Sequence, residues 1–489
     1  MRRAKIVSSL IYKFIERFSV KGIGLIISFL LARLLAPELF GQLAILNVFI
    51  TLSQTIIESG LSTALVQSRE ADDVDFSTVF YISMALAGLM VALLYFAAPL
   101  ISAYYESPEL TAPLRVYSLS LFFGAFNSIQ VAKIQREMRF KQQMKCSLAA
   151  TVISGALGVY LAYRGAGMWA LVGYFFAQIA VYCAAMLIAM RWLPRSHFSM
   201  DSAKRLYGFG ARMLASSLLT TLYNNLRPLI IGKRFSKAEL GYYDRGQQLA
   251  SVVSLNLDAA LQSVMLPVYS ENQGDPVRLR EMVSRSVSLG TLIIFPVMLG
   301  MSAVAEPMVR LLLTDKWLPC VVFAELLCIG EAQVPLTSTN LVALKALGRS
   351  DIYMRQELLR RALMLVVLLV SVFCFDSLEA IAIGFVFSAW LDAGVTSLPL
   401  KRLLDYGLAD ELRDCWKAGL SAAVMFIAVR ALGGLGLPLA LGLLAQIVCG
   451  AAVYLGLCLL LRAEGLVYAL KMLKGLRSGG EREGDGDGE

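Results

Sequence analysis

The chain has 489 residues, 57% of them hydrophobic and only 17% charged, with a mean hydropathy of +0.66. That balance excludes a string of water-soluble domains of about 150 residues each and points to a polytopic membrane protein. The formal net charge of +9 is no nucleic-acid footprint, because most Lys and Arg lie in short loops between apolar runs and no basic soluble module is present.

A bilayer core of about 30 Å takes about 20 helical residues to cross, and runs near that length predict about fourteen helices. The first, 9–35, follows Met1–Val20, where Arg2, Arg3, Lys5, Lys13, Glu16 and Arg17 interrupt the apolar residues; no clean signal-peptide core is expected there. Lys21 falls inside this helix. The second, 39–66, opens on Glu38-Leu39-Phe40-Gly41 and carries Glu58. Helices at 76–103 and 111–135 flank a short loop, and the basic stretch Arg136–Lys145 leads to 142–163 and 166–190. The seventh and eighth, 204–231 and 238–268, carry Arg212, Arg227, Arg245 and Asp258 within the span. Then come 281–304, 318–344, 353–375 and 378–400, with Glu325, Glu331 and Asp392 inside them, and a final pair at 412–432 and 438–462. Pro228, Pro296 and Pro335, with Gly22 and Gly24, are candidate bending points. The tail Ser478–Glu489 is rich in Gly, Asp and Glu and is expected to be disordered.

Lys and Arg are more than threefold commoner in the loops on the side of the two termini. The positive-inside bias therefore predicts both termini in the cytoplasm and an even helix count. A long-period echo adds an internal repeat: Glu38-Leu39-Phe40-Gly41 returns as Glu239-Leu240-Gly241, and Arg136–Arg139 as Lys345–Arg349, at offsets of 200 and 210. The expected organisation is an N-terminal six-helix lobe over 1–200, a second over 201–405, an extra helix pair over 406–465 and a cytoplasmic tail over 466–489. Parallel repeats of this kind place a substrate site at their interface and work by rocking one lobe against the other.

Catalytic chemistry has little to stand on. His197, the one histidine, lies in a loop; no phosphate-binding loop, H-E-x-x-H or G-x-S-x-G pattern occurs. The eight cysteines form no C-x-x-C pair and most read as small buried hydrophobes. No enzyme activity, cofactor or metal is expected. What remains are ionisable side chains inside spans, each costing about 2.5–3.5 kcal/mol to insert and so usually facing a cavity or a partner. Lys21, Arg212, Arg227 and Arg245 gather in the opening helices of the two repeats, and an arginine-lined cavity suits phosphate because the guanidinium fork matches its geometry. Glu58 and Asp258 are candidate ion-coupling carboxylates.

Several ordered patterns resemble a known family. Leu34–Gly41 is followed by Glu58–Gln67, Phe76–Phe80, Arg136–Phe140 and Gly165–Val172. The second half continues with Gly208–Gly210, Leu229–Lys233, Leu240–Arg245 and Leu266–Ser270. In this order they resemble polysaccharide-export flippases of the Wzx type, nearest the colanic-acid-type exporters, in the MOP superfamily that also holds lipid II flippases and MATE exporters. The resemblance implies a bacterial inner-membrane exporter. Its implied cargo is a polyprenyl-diphosphate-linked oligosaccharide unit for exopolysaccharide or O-antigen. Its implied surroundings are membrane lipids, with a polymerase and a chain-length regulator as possible partners and no nucleic acid. The chain departs from that branch at Arg227-Pro228, where an acidic residue commonly precedes Leu-Ile-Ile-Gly. Two alternatives stay open: a MATE-like drug/cation antiporter, and a membrane polysaccharide polymerase or ligase.

Overall fold

A computed structural model describes the backbone of residues 2–58, 60–67, 71–194 and 197–470, and their side chains apart from 2–14, 17, 207–209 and 212. Among the described residues the long elements are all helices, in the order α1 (Arg2–Leu34), α2 (Pro37–Glu58), α3 (Leu61–Gln67), α4 (Asp73–Tyr104), α5 (Thr111–Ser118), α6 (Ser120–Glu137), α7 (Phe140–Tyr163), α8 (Met168–Met190) and α9 (Met200–Arg234). There follow α10 (Lys237–Glu271), α11 (Pro276–Ala303), α12 (Ala305–Leu312), α13 (Cys320–Glu331), α14 (Val334–Ala346), α15 (Ser350–Cys374), α16 (Leu378–Leu404), α17 (Leu408–Gly433) and α18 (Leu439–Leu460). Ten helical segments are long and apolar enough to cross a membrane, so the protein is an all-α, multi-pass membrane protein. Each of the fourteen predicted segments corresponds to a helix or a broken pair of helices. The acidic tail Ser478–Glu489 lies outside the described residues.

Three predicted helices are interrupted, each for a local reason. The segment 39–66 divides at Gly60, whose φ of +67° is the left-handed conformation that closes helices. The segment 111–135 divides between Ser118 and Ser120, whose hydroxyls donate back to the carbonyls of Arg115 (2.7 Å) and Tyr117 (2.6 Å), a local competitor to helix continuation. The segment 318–344 divides before Pro335, which stands in the first turn of α14. Proline is tolerated there because its missing N–H would have no helical partner. Pro335 is thus a helix starter rather than a bend, whereas Pro228 and Pro296 lie inside α9 and α11.

The sequence echo is also an echo of backbone conformation. Met138 and Gly348 both take positive φ, +56° and +69°. The arginine after each opens the next helix at φ −88°, ψ 41° (Arg139) and φ −85°, ψ 61° (Arg349). Asp72 caps α4 and Asp275 caps α11 by accepting from backbone N–H groups. The amides of Leu35 and Phe235 close the preceding helices with bonds of 2.9 Å to Leu31 and Ile231.

By packing, the chain divides into two compact units, 1–244 and 245–489. In the first, α1 packs on α7, α7 on α8, and α9 on α2, α3 and α4. The close approach near α2 depends on glycine: a Cβ on Gly41 would meet the Lys237 carbonyl, and one on Gly241 would meet the Pro37 carbonyl. The paired motif is therefore a reciprocal contact in space. Nearby, Lys233 donates to Glu106 and to the Tyr104 carbonyl, each at 2.8 Å, and this ammonium holds the Glu106 carboxyl below the usual carboxylate range. At the opposite end of α4, Phe76 and Trp192 close a core with Leu65, Val79, Ile129 and Met186. Lys133 lies 5.3 Å from the Trp192 ring and Arg136 5.7 Å from that of Phe76, so cations in the last turns of α6 also serve as packing groups.

In the second unit α11 packs against α13, α14 and α17, and α17 against α18. The Tyr454 hydroxyl of α18 donates to Leu292 O of α11 at 2.8 Å, and the Ser284 and Tyr406 hydroxyls both donate to Asp414. Large apolar side chains such as Phe96, Leu100, Ile188 and Leu460 stand 74–80% exposed, as expected of surfaces covered by lipid rather than water. All eight cysteines are free; six are buried, while Cys374 is exposed and Cys449 intermediate.

Candidate functional site

In the first unit, α2, α3 and α6 line an open cavity of about 700 Å³. Its α2 wall is Thr51, Gln54, Thr55 and Glu58, and its α6 wall includes Asn127, Ser128 and Gln135. Steps of three and four residues put the α2 set on one helical face, and Asn127, Val131 and Gln135, four apart, do the same on α6. Ser62 and Thr63 of α3 add hydroxyls, and Tyr117 and Ser120 lie at the side. Gly124 makes room for Gln54: a Cβ there would stand 3.0 Å from the Gln54 amide carbon. Gln54 Nε2 in turn donates to Glu58 Oε1 at 3.1 Å. Thr55 Oγ1 lies 3.2 Å from Thr221 Oγ1, which ties this wall to α9. The buried Ser62 Oγ and Asn127 Oδ1 have no protein partner. Glu58 is thus exposed into a chamber that mixes ten hydroxyl and amide residues with Ile50, Val66, Val131 and Ile179, and those ten were not singled out by sequence. The signal was available as the Thr51–Gln54–Thr55–Glu58 face, but a search for charges passes over it.

The basic candidates lie on α1, α9 and α10. Lys21 is exposed on α1. Arg212 lies on α9 with its side chain outside the described residues, and Arg227, half-buried, lies further along that helix just before Pro228. Arg245 is only 3% exposed. Its guanidinium sits 5.2 Å from the Trp317 ring and donates to Gln248 Oε1 at 2.6 Å. Arg245 therefore has an internal seat against a fully buried tryptophan. Asp258, half-buried on α10, accepts from Gln262 Nε2 at 2.7 Å.

The other acids within spans have partners. Asp392, 2% exposed at its side chain, is held by the Arg360 fork, with Nη2 to Oδ2 at 2.6 Å. Glu325 pairs with Arg430 at 2.9 Å, and Glu331 accepts from Ser254 at 2.7 Å. Buried Glu411 accepts from Asn340 Nδ2 at 2.9 Å. Among the described residues no group of three or more His, Cys, Asp or Glu is placed to hold a metal ion.

Ten helical segments able to cross a membrane, with acids inside them paired to arginines, define a multi-pass membrane protein that keeps charged groups within its spans. The fold agrees. The chain superposes on the lipid II flippase MurJ in its inward closed conformation with a TM-score of 0.76 over 92% of this chain and 99% of that one, at 13% identity. An inward-facing multidrug resistance MATE family transporter of the MOP superfamily gives 0.61 over 78% and 94%, at 15% identity. The chain belongs to the polysaccharide biosynthesis protein family, whose profile matches residues 30–322. It is 24% identical over 305 residues to the teichuronic acid biosynthesis protein TuaB of Bacillus subtilis, covering 61% of this chain and 62% of that protein. It is 25% identical over 332 residues to the succinoglycan biosynthesis transport protein ExoT of Rhizobium meliloti (68% and 67%). To the lipopolysaccharide biosynthesis protein WzxC of Escherichia coli it is 24% identical over 341 residues (67% of each). The matches thus span about two thirds of these relatives' length.

Proposed function

We propose that the protein is a bacterial inner-membrane flippase that carries polyprenyl-diphosphate-linked oligosaccharide units across the bilayer by alternating access, with both termini in the cytoplasm. The observation that carries this reading is the family match across residues 30–322, to relatives that include a succinoglycan transport protein. A fold shared with a lipid II flippase supports it. Physically, the task is to move a diphosphate and its sugars through apolar core while the prenyl tail stays in lipid. Leaving such a headgroup unsolvated is prohibitive, so the route has to supply polar and cationic partners.

In this reading Lys21, Arg212 and Arg227 meet the diphosphate. Arg245, seated over Trp317, shapes the second unit and acts on cargo through that packing. The chamber beside Glu58 provides polar surface, and Glu58 and Asp258 are the carboxylates available for coupling to a cation. A polymerase and a chain-length regulator would receive the product. The two packing units would act as the rocking bodies of a parallel repeat. Deletion of the gene tests the function: the strain should lose surface polymer and accumulate lipid-linked repeat units facing the cytoplasm. Normal polymer with no accumulation, in a strain lacking other exporters, would reject the proposal.

A further inference from the structure

The chamber in the first unit has a chemistry different from that expected for a diphosphate. Among the described side chains that line it, Glu58 is the one acid and none is Lys or Arg. A phosphate placed there would meet a carboxylate and, among the described side chains, no cation. Thr51, Gln54, Thr55, Ser62 and Asn127 are instead groups that both donate and accept hydrogen bonds, as the hydroxyls of a sugar require. Two of them carry oxygens left over: Asn127, 8% exposed, spends its amide N–H on Ile179 O at 3.2 Å and leaves Oδ1 unmatched, and Ser62 Oγ is likewise unmatched. Buried polar atoms without partners are rare enough to call for a ligand or water. A volume of about 700 Å³ lies within the range of organic-ligand sites. Arg227 is set apart from it: the chamber touches α9 at Thr221, and Arg227 follows six residues later, about 9 Å along the axis.

Resting on the flippase reading, we propose that this chamber holds an uncharged or amino-bearing sugar of the cargo, and that Glu58 discriminates there against acidic sugars. The diphosphate is bound elsewhere, on the cationic residues. The carboxylate accepts from a sugar hydroxyl or ammonium, whereas a uronate in the same place brings two like charges together.

The test uses the purified full-length protein in lipid nanodiscs and three probes: farnesyl diphosphate, farnesyl-diphosphate glucose and farnesyl-diphosphate glucuronic acid. The wild type should bind the glucose probe at least tenfold more tightly than the glucuronate probe. Glu58→Gln should shrink that ratio to about twofold. Asn127→Leu and Thr55→Val should each weaken the glucose probe several-fold while leaving farnesyl diphosphate unchanged. An unaltered ratio in Glu58→Gln overturns the proposal, including the case where that variant changes only a sodium or proton dependence and so marks Glu58 as a coupling residue. Equal weakening of all three probes by Asn127→Leu and Thr55→Val also overturns it, because the chamber would then be structural. If the folded wild type binds none of the three, the flippase reading fails and this inference fails with it.

Discussion

Replacing Gly41 by alanine tests the reciprocal glycine contact. A Cβ on Gly41 would stand 2.8 Å from the Lys237 carbonyl carbon and 3.1 Å from the Gly241 nitrogen; one on Gly241 would stand 3.0 Å from the Pro37 carbonyl carbon and 3.2 Å from the Gly41 nitrogen. Ordinary carbon contacts lie at about 3.5–4.0 Å, so either alanine pushes the two backbones apart by roughly 1 Å. Overpacking of that kind costs about 1–3 kcal/mol. Because both methyl groups need the same separation, the double variant should cost little more than one single variant. The coupling energy is then about 1–3 kcal/mol in favour of the double variant, well outside the ~0.3–0.5 kcal/mol error of additivity. Gly22 and Gly24 serve as controls, since a Cβ at either meets nothing within 4 Å; alanine there should be neutral or stabilising by about 0.5–1 kcal/mol through helix propensity. Equilibrium unfolding in mixed micelles of wild type, both single variants, the double variant and the two controls reads these values. A Gly41→Ala protein as stable as Gly22→Ala, or a strictly additive double variant, would refute the close-contact argument.

Three further outcomes are expected. Arg227→Ala should lose polymer export at normal protein abundance, with loop Arg349→Ala as the active control; full export by Arg227→Ala in a quantitative polymer assay would remove it from the cargo site. Asp392→Asn removes the more buried of the two carboxylates on Arg360, Asp392 being 2% exposed at its side chain while Glu357 stays at 3.0 Å, so stability should drop toward the lower end of the about 3–5 kcal/mol that breaking a buried pair costs. The paired Arg360→Met, Asp392→Leu protein should recover most of this loss, because an apolar replacement of a buried pair is often nearly neutral; failure to recover in unfolding assays would indicate a role beyond the pair. Reporter fusions at Ser107 and Gly479 should report opposite sides of the membrane, and a shared side would contradict an even number of crossings.

The long helices were legible because apolar length alone specifies them. The echoed motifs were legible because Gly41 and Gly241 are fixed by their contact and Arg139 and Arg349 by equivalent backbone turns. The interruptions were less so. Gly60 and Pro335 are visible punctuation, yet each sits inside an apolar run where hydropathy outweighs it, and the back-bonding of Ser118 and Ser120 leaves no compositional trace. At the candidate site, a search keyed to charge found Glu58 but not Asn127 or Thr55, since a neutral amide or hydroxyl costs far less in a span than an ion and draws no attention. Partnerships across the chain were illegible for another reason. Nothing local in Arg245 announces Trp317, and nothing in Asp392 announces Arg360; long-range packing decides both.

Transport itself is measured most directly in sealed proteoliposomes holding the full-length protein and a fluorescent polyprenyl-diphosphate oligosaccharide in both leaflets. A membrane-impermeant reductant bleaches only the outer leaflet. The account predicts that wild-type vesicles lose well over half the signal while protein-free and Arg227→Ala vesicles stop near half. Equal bleaching of wild-type and protein-free vesicles, with intact and folded protein present, would contradict it.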